Sequence, residues 1–137
     1  MSTTATIVDK VFGEMKYKHS WTKKDSFLFM DKAYSVNITA QAYKGDDILE
    51  TQQLNYSHYK TYLEQHKDEI ENKLMDYCKE ICNDDVELSS CLTPRTIIFE
   101  RDNSWGILFD TDCDVENGVA LFVVNDKIEV GPQDLFL

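Results

Sequence analysis

Alternation of apolar and polar residues marks strands in the first third of the chain. In residues 34–42 every second side chain is apolar and those between them are polar. This period of two, with β-branched residues, predicts an antiparallel strand that buries one face and exposes the other. Residues 12–17 alternate more weakly, and residues 26–30 form a short apolar run. We therefore expect three strands, with a hairpin turn at residues 31–32.

The middle of the chain follows the period of an α-helix. Its apolar side chains recur three or four residues apart, which aligns them on one continuous stripe. The stripe consists of Tyr59, Leu63, His66, Ile70, Leu74, Tyr77 and Ile81. Ser57 is the expected N-cap, and the polar residues 64–69 predict a break into two helices, with Asp68 capping the second. We expect the stripe to pack on the preceding strands.

The last third returns to strand patterns. Apolar runs occupy residues 95–101, 105–110, 119–124 and 127–130, with tight turns expected at Asp102-Asn103 and Asn125-Asp126. Strands, then helices, then strands predict an α+β fold, in which one antiparallel sheet carries one or two helices on one face. Because 137 residues contain no repeat or linker, we expect residues 1–137 to form a single domain.

An excess of acidic residues limits the partners that this chain can bind. There are 25 acidic and 14 basic side chains, for a formal charge of -11. The excess belongs to residues 45–137, since residues 1–44 are net basic. This balance argues against nucleic acid and anionic membranes, and it permits a basic protein partner. The chain shows neither a membrane-spanning apolar run nor a signal-peptide pattern, so we expect a cytoplasmic protein with reduced thiols.

The four cysteines show no metal-binding or redox motif. Cys78, Cys82, Cys91 and Cys113 include no Cys-x-x-Cys pair, and the three histidines are scattered. We expect ordinary buried thiols and no bound metal or cofactor; a metal site made of Cys78, Cys82 and Cys91 is the alternative. The chain also lacks nucleophile, phosphate-loop and metalloprotease motifs, so we expect no catalytic residues and no enzymatic activity.

The sharpest local feature is an acidic loop at residues 110–118. Its carboxylates alternate along the chain, as ligands do at the start of a calcium loop. They are Asp110, Asp112, Asp114 and Glu116. Val115 replaces the required glycine and Leu121 the required bidentate glutamate, so a hairpin loop with a negative rim is favoured over calcium binding. If the loop is extended, all four carboxylates lie on one side.

Trp21 lies in a polar stretch, Ser-Trp-Thr-Lys-Lys-Asp at residues 20–25. An exposed tryptophan in such a loop is a candidate anchor for a protein partner. Packing of the indole within its own loop is the equally weighted alternative.

Three stretches near the end of the chain carry a resemblance to a known group of domains. They are Trp-Gly-Ile-Leu-Phe-Asp at residues 105–110, Glu-Asn-Gly-Val-Ala at 116–120 and Ile-Glu-Val-Gly-Pro-Gln-Asp at 128–134. This ending resembles that of a family of small, uncharacterised bacterial domains. Asn117 stands where that family has histidine, which removes any role for an imidazole ring there.

Small acidic domains of this kind resemble the immunity proteins encoded beside polymorphic or contact-dependent toxins. The resemblance implies a protein that binds a toxin domain, often a basic nuclease, and neutralises it by occlusion. Partner binding would then involve Asp110, Asp112, Asp114 and Glu116, with Trp21 as the aromatic anchor. A small regulator that binds a metal or a ligand through residues 110–118 is the alternative function.

Overall fold

Eight strands form one sheet in which their spatial order follows their order along the chain. The computed structural model describes residues 5–43, 45–82 and 87–136. Neighbouring strands pair in an antiparallel manner except the fourth and fifth, which are parallel. The strands are β1 (Thr6–Asp9), β2 (Gly13–Tyr17), β3 (Trp21–Phe29), β4 (Lys32–Ala40), β5 (Leu92–Phe99), β6 (Trp105–Thr111), β7 (Val119–Val124) and β8 (Lys127–Gly131).

Three helices connect β4 to β5. They are α1 (Glu50–Gln65), α2 (Lys67–Cys82) and the short α3 (Leu88–Cys91), and a 3-10 turn (Gln133–Leu135) follows β8. A helical crossover returns the chain to the end of the sheet from which β4 started, and this geometry makes the β4–β5 pair parallel. The predicted α+β class with one sheet is confirmed. None of the helices in the described ranges is long and apolar enough to cross a membrane.

The predicted helical stripe is confirmed as the surface that meets the sheet. Tyr59, Ile70 and Leu74 are buried, and the other members of the stripe are half-buried. The ring of Tyr59 contacts those of Phe99 on β5 and Trp105 on β6. Each buried aromatic side chain contributes several kcal/mol of hydrophobic free energy, of the order of 3 kcal/mol for a phenylalanine. The helix–sheet interface is therefore the main core of the protein.

Two predicted helix caps are wrong, although the predicted break is confirmed at His66. Ser57 lies inside α1, where its hydroxyl donates to the Gln53 carbonyl. Asp68 lies in the first turn of α2 rather than before it. At the true start of α1, the side chain of Gln52 accepts a hydrogen bond from the Leu49 amide.

The first third of the chain contains one more strand than the pattern predicts, and β3 is longer than predicted. β1 was not predicted, and β3 begins at Trp21 rather than at residue 26. A lysine interrupts the apolar alternation on the core side of β3. Its ammonium, Lys23 Nζ, donates to the carbonyl of Phe12 and to the hydroxyl of Tyr56. Because these partners satisfy the charged group, a strand forms where the sequence pattern alone does not indicate one.

The residues that carry the resemblance at the end of the chain hold the C-terminal strands together. Gly118 has a φ of +63°, and an added Cβ there would lie 2.5 Å from Gln133 Nε2. The same amide donates to the carbonyl of Phe109, and the backbone amide of Gln133 donates to Asn117. These hydrogen bonds join the β6–β7 loop to the C-terminal turn. In this chain, the C-terminal residues that carry the resemblance therefore have a structural role, which is to connect the β6–β7 loop, β6 and the C-terminal turn.

Candidate functional site

A groove of about 700 Å³ lies between α2 and β8, which is one of the two edge strands of the sheet. Tyr77 of α2 lines it together with Ile128 and Val130 of β8. Two carboxylates of α2, Asp76 and Glu80, and one of β8, Glu129, also line the groove, and Lys73 is the lysine among its described lining residues.

Carboxylates from other segments also converge on Tyr77. Burial raises the pKa of Tyr77, and the negative charges of Asp114, Glu80 and Asp134 raise it further. Asp114 belongs to the β6–β7 loop and Asp134 to the C-terminal 3-10 turn. We call this surface the acidic groove: Asp76, Tyr77, Glu80 and Glu129 line it, and Asp114 and Asp134 lie near enough for their charges to act on Tyr77. It combines a half-buried aromatic ring with negative charge from four separate segments.

The structure places the four predicted loop carboxylates in different surroundings. Asp110 lies in β6 and accepts a hydrogen bond from Arg95 Nε at 2.6 Å, on a surface where both side chains are exposed. Asp114 accepts hydrogen bonds from the backbone and side-chain amides of Asn117, which close a turn. Asp112 and Glu116 are exposed. The loop therefore turns instead of extending, and Asp114 is the one of the four whose negative charge raises the pKa of Tyr77.

Of the two alternatives for Trp21, an exposed anchor and packing of the indole within the protein, the structure supports packing, although in a strand rather than in a loop. Trp21 is the first residue of β3 and only 6% exposed. Its indole Nε1 donates to the carbonyl of Asp46 at 2.8 Å, and its ring packs edge-on against Tyr17. Both the ring and its N–H are satisfied inside the protein, so Trp21 presents little surface to a partner.

Sequence reasoning missed most of the acidic groove. Tyr77 was recognised as a member of the helical stripe, but its neighbours Asp76 and Glu80 were not singled out. One signal in the sequence could have indicated this site. Tyr77 lies near the end of the helical stripe, with Asp76 before it and Glu80 one helical turn after it. Only the proximity of β8 and of the C-terminal turn makes that end of α2 one wall of a groove.

A second cavity, of about 650 Å³, opens between the β3–β4 hairpin and the two long helices. Its walls include Phe27, Phe29 and Leu63, and Lys60 and Glu64 are among its charged lining residues. The cavity is more apolar than the acidic groove. Carboxylates outnumber lysines among its charged lining residues too, but here they are spread around a larger apolar surface.

We expected all four cysteines to be ordinary buried thiols, and for Cys82 and Cys113 this expectation is wrong. Cys82, at the end of α2, and Cys113, after β6, form a disulfide across a sequence separation of 31 residues. Cys78 is a fully buried thiol, as expected, and Cys91 is a half-buried one. Burial, together with a hydrogen bond to Cys91, raises the pKa of the Cys78 thiol to about 12.

Two neighbouring carboxyl groups outside the groove, those of Glu100 and Asp102, are expected to affect the stability of the protein in opposite ways as the pH changes. Burial, and then the charge of Asp102, raise the pKa of Glu100. Its folded form therefore holds the proton more tightly than the unfolded chain, and stability falls as the pH rises through the folded pKa. We expect Glu100→Gln to raise the Tm at neutral pH and to leave it unchanged below about pH 4, where both states are protonated.

Asp102 provides the matched control for this measurement by thermal unfolding. The hydroxyl and amide of Ser104 donate to its carboxylate and lower its pKa, so its stabilisation is present above the unfolded pKa and is lost as the pH falls. Asp102→Asn is therefore expected to lower the Tm at neutral pH. Equal Tm changes of the same sign in the two variants would contradict the assignment.

Comparison with known proteins identifies the family of the chain. No curated protein matches it, and no solved structure does. A family described as a domain of unknown function, DUF6985, matches residues 11–137, which include every strand except β1 and all the helices. The chain therefore belongs to the DUF6985 family.

Proposed function

We propose that the protein is an immunity-type binding protein that neutralises a basic toxin domain by covering it with the acidic groove. The observation that supports this best is the convergence of carboxylates from α2, β8, the β6–β7 loop and the C-terminal turn around Tyr77. The resemblance of the C-terminal sequence to small acidic domains of this kind gives the proposal its direction. No catalytic group is needed in a protein that acts by occlusion.

The chemistry of the groove suits a partner that binds nucleic acid. A nuclease holds phosphate groups with lysine and arginine, and a carboxylate surface competes for the same cations. A net charge of -11 speeds the encounter with such a partner. Tyrosine at the centre of a contact combines apolar area with a hydrogen-bonding hydroxyl, which is why it is enriched among strongly contributing interface residues. Tyr77 therefore replaces Trp21 as the proposed anchor.

The loop residues keep a part in this proposal. Asp114 belongs to the acidic groove, and the exposed Asp112 and Glu116 lie on the same β6–β7 loop and extend its negative rim. Asp110 already pairs with Arg95 and would have to exchange one cation for another. The proposed setting is the cytoplasm of a bacterium that produces the toxin, without contact to nucleic acid or membrane.

Coexpression tests the function directly. The C-terminal domain of the protein encoded beside this chain is produced in cells with and without it, and growth is measured. We expect killing that this protein relieves. A neighbouring domain that is harmless, or equally lethal in both cultures, would contradict the proposal. A rise in Tm that depends on calcium would instead support the alternative of a metal-binding regulator that uses residues 110–118.

Charge reversal tests the position of the interface. We expect the double variant Asp76→Lys/Glu80→Lys to bind the toxin domain about 30-fold more weakly or worse, equivalent to about 2 kcal/mol, because two attractive contacts become repulsive. Titration calorimetry at two salt concentrations measures the change in affinity and in salt dependence.

A matched pair of substitutions separates local contacts from overall charge. Glu14→Lys/Glu64→Lys changes the net charge by the same amount at two exposed positions outside the acidic groove. We expect a much smaller loss of affinity, since only the long-range attraction is reduced. Equal losses in the two double variants would place the interface elsewhere.

A further inference from the structure

Sulfur atoms from three separate segments meet at the C-terminal end of α2. Cys82 ends α2, Cys91 ends α3, and Cys113 follows β6. Their Sγ atoms all lie within 4.8 Å of one another, and the Sγ atoms of Cys82 and Cys91 are 3.7 Å apart. Cys78 lies one helical turn before Cys82, is fully buried, and shares a hydrogen bond with Cys91. We call these four residues the thiol cluster.

We propose that the thiol cluster binds one zinc ion when the protein is reduced, with Cys82, Cys91 and Cys113 as ligands and Cys78 as the fourth. A zinc–sulfur bond of about 2.3 Å in a tetrahedron places neighbouring sulfurs about 3.8 Å apart. The separation between Cys82 and Cys91 already has this value. Within the described residues, Cys82, Cys91 and Cys113 form the group of potential ligand atoms that lies close enough together to hold a metal ion. Cys78 is assigned as the fourth ligand through its hydrogen bond to Cys91.

The surroundings of the sulfurs fit a ligand set that is held in place. Thr111 is 5% exposed, and its hydroxyl oxygen lies 3.4 Å from Cys91 Sγ. The same oxygen accepts a hydrogen bond from the backbone amide of Cys113 at 3.3 Å. One buried threonine thus positions two of the proposed ligands, as outer-shell groups do in metal sites. Cys113 is exposed, which leaves a route for the metal from solvent.

The type of ligand selects the metal. Thiolates are soft donors that favour zinc over calcium and magnesium, which prefer oxygen. Four sulfurs without a bound water would make a closed, structural site rather than a catalytic one. The ion would join the end of α2, α3 and the loop that carries Asp114, and this arrangement would stabilise the folded chain.

The disulfide and the zinc site are alternative states of the same sulfurs. Reduction by a phosphine breaks the Cys82–Cys113 bond: the phosphine gives two electrons and takes oxygen from water, and the two sulfurs take the protons. Zinc then displaces protons from the thiols and forms four zinc–sulfur bonds. The metal itself is neither oxidised nor reduced. This inference does not depend on whether the protein binds a toxin.

Metal content of the whole chain tests the proposal. The protein is reduced with a phosphine under nitrogen, incubated with zinc chloride, passed through a desalting column and analysed by elemental mass spectrometry. We expect about one zinc per reduced chain and none on the oxidised chain. Cobalt(II) chloride, used as the spectroscopic probe, is expected to give intense visible bands and sulfur-to-cobalt charge transfer. Thermal unfolding should show that zinc raises the Tm of the reduced protein only.

Single substitutions identify the ligands. Cys91→Ser and Cys78→Ser leave the disulfide partners intact and are expected to weaken zinc binding at least tenfold, with less charge transfer from cobalt. Ser89→Ala, at an exposed position of the same short helix α3, is the control and should bind as the unchanged chain does. Circular dichroism confirms that each reduced variant is folded before metal is added.

Three results would overturn the proposal. The first is a folded, reduced chain that retains no more zinc than the oxidised one. The second is cobalt binding without sulfur-to-cobalt charge transfer. The third is unchanged affinity in Cys78→Ser or Cys91→Ser, which would exclude the four-sulfur site.

Discussion

Replacing Gly106 by alanine is expected to destabilise the protein by about 3 kcal/mol. Gly106 lies in β6, and a Cβ there would lie 2.4 Å from Phe122 Cδ1 and 2.6 Å from the Leu121 carbonyl oxygen. The ring of Phe122 is 1% exposed and stacks on Phe136, with 4.8 Å between the ring centroids. The carbonyl belongs to the backbone of β7, which pairs with β6. Neither neighbour can move without disturbing the sheet.

Urea denaturation measures this loss, and Gly131→Ala provides the control. Gly131 lies in β8, where an added Cβ meets the flexible end of Leu135 at 3.0 Å. That side chain can shift, so we expect a loss below about 1 kcal/mol. Equal losses of stability in the two variants would show that the close approach at Gly106 is relieved in solution.

The second large effect is expected at Gln52, a fully buried polar side chain. Its amide nitrogen donates to the carbonyls of Gln41 and Phe99, at 2.8 and 2.9 Å, and its oxygen accepts from the Leu49 amide at 2.8 Å. It thereby ties the start of α1 to the ends of β4 and β5. Gln52→Leu keeps the approximate volume but removes all three hydrogen bonds, and we expect a loss of about 2–3 kcal/mol.

The adjacent glutamine is the matched control for this substitution. Gln53 is half-buried and makes one side-chain hydrogen bond, to Asp9 at 2.8 Å. Gln53→Leu leaves its partner close to water, so a loss of at most about 1 kcal/mol is expected. Chemical denaturation of both variants decides the matter: a Gln52→Leu protein as stable as Gln53→Leu would mean that the backbone groups find other partners.

Local periodicity was sufficient for the elements that bury a regular apolar face. The stripe from Tyr59 to Ile81 predicted α2 and the second half of α1, and the alternation in residues 34–42 predicted β4. It failed at β3, where Lys23 occupies a core-facing position, and at β1, a strand of four residues. A pattern of apolar residues does not show where a charged or polar group finds partners from distant parts of the chain.

In the candidate site, too, some features were visible in the local sequence and others depend on the fold. The acidic loop was recognised because its carboxylates are close together in the sequence. The acidic groove was not, since Glu80, Asp114 and Glu129 belong to three different elements. Trp21 was misjudged because its flanking residues are polar, whereas its burial depends on contacts with Tyr17 and with the carbonyl of Asp46.

The sequence by itself determined the α+β class, the helical stripe, most of the sheet-forming segments and the negative charge. Each of these depends on composition or on the spacing of apolar residues over a few positions of the chain. Only the tertiary structure decided the parallel β4–β5 pairing, the groove around Tyr77 and the meeting of Cys82, Cys91 and Cys113. These features join residues far apart in the chain. Their proximity results from the pairing of the whole sheet and the packing of helices upon it, which no local pattern of residues records.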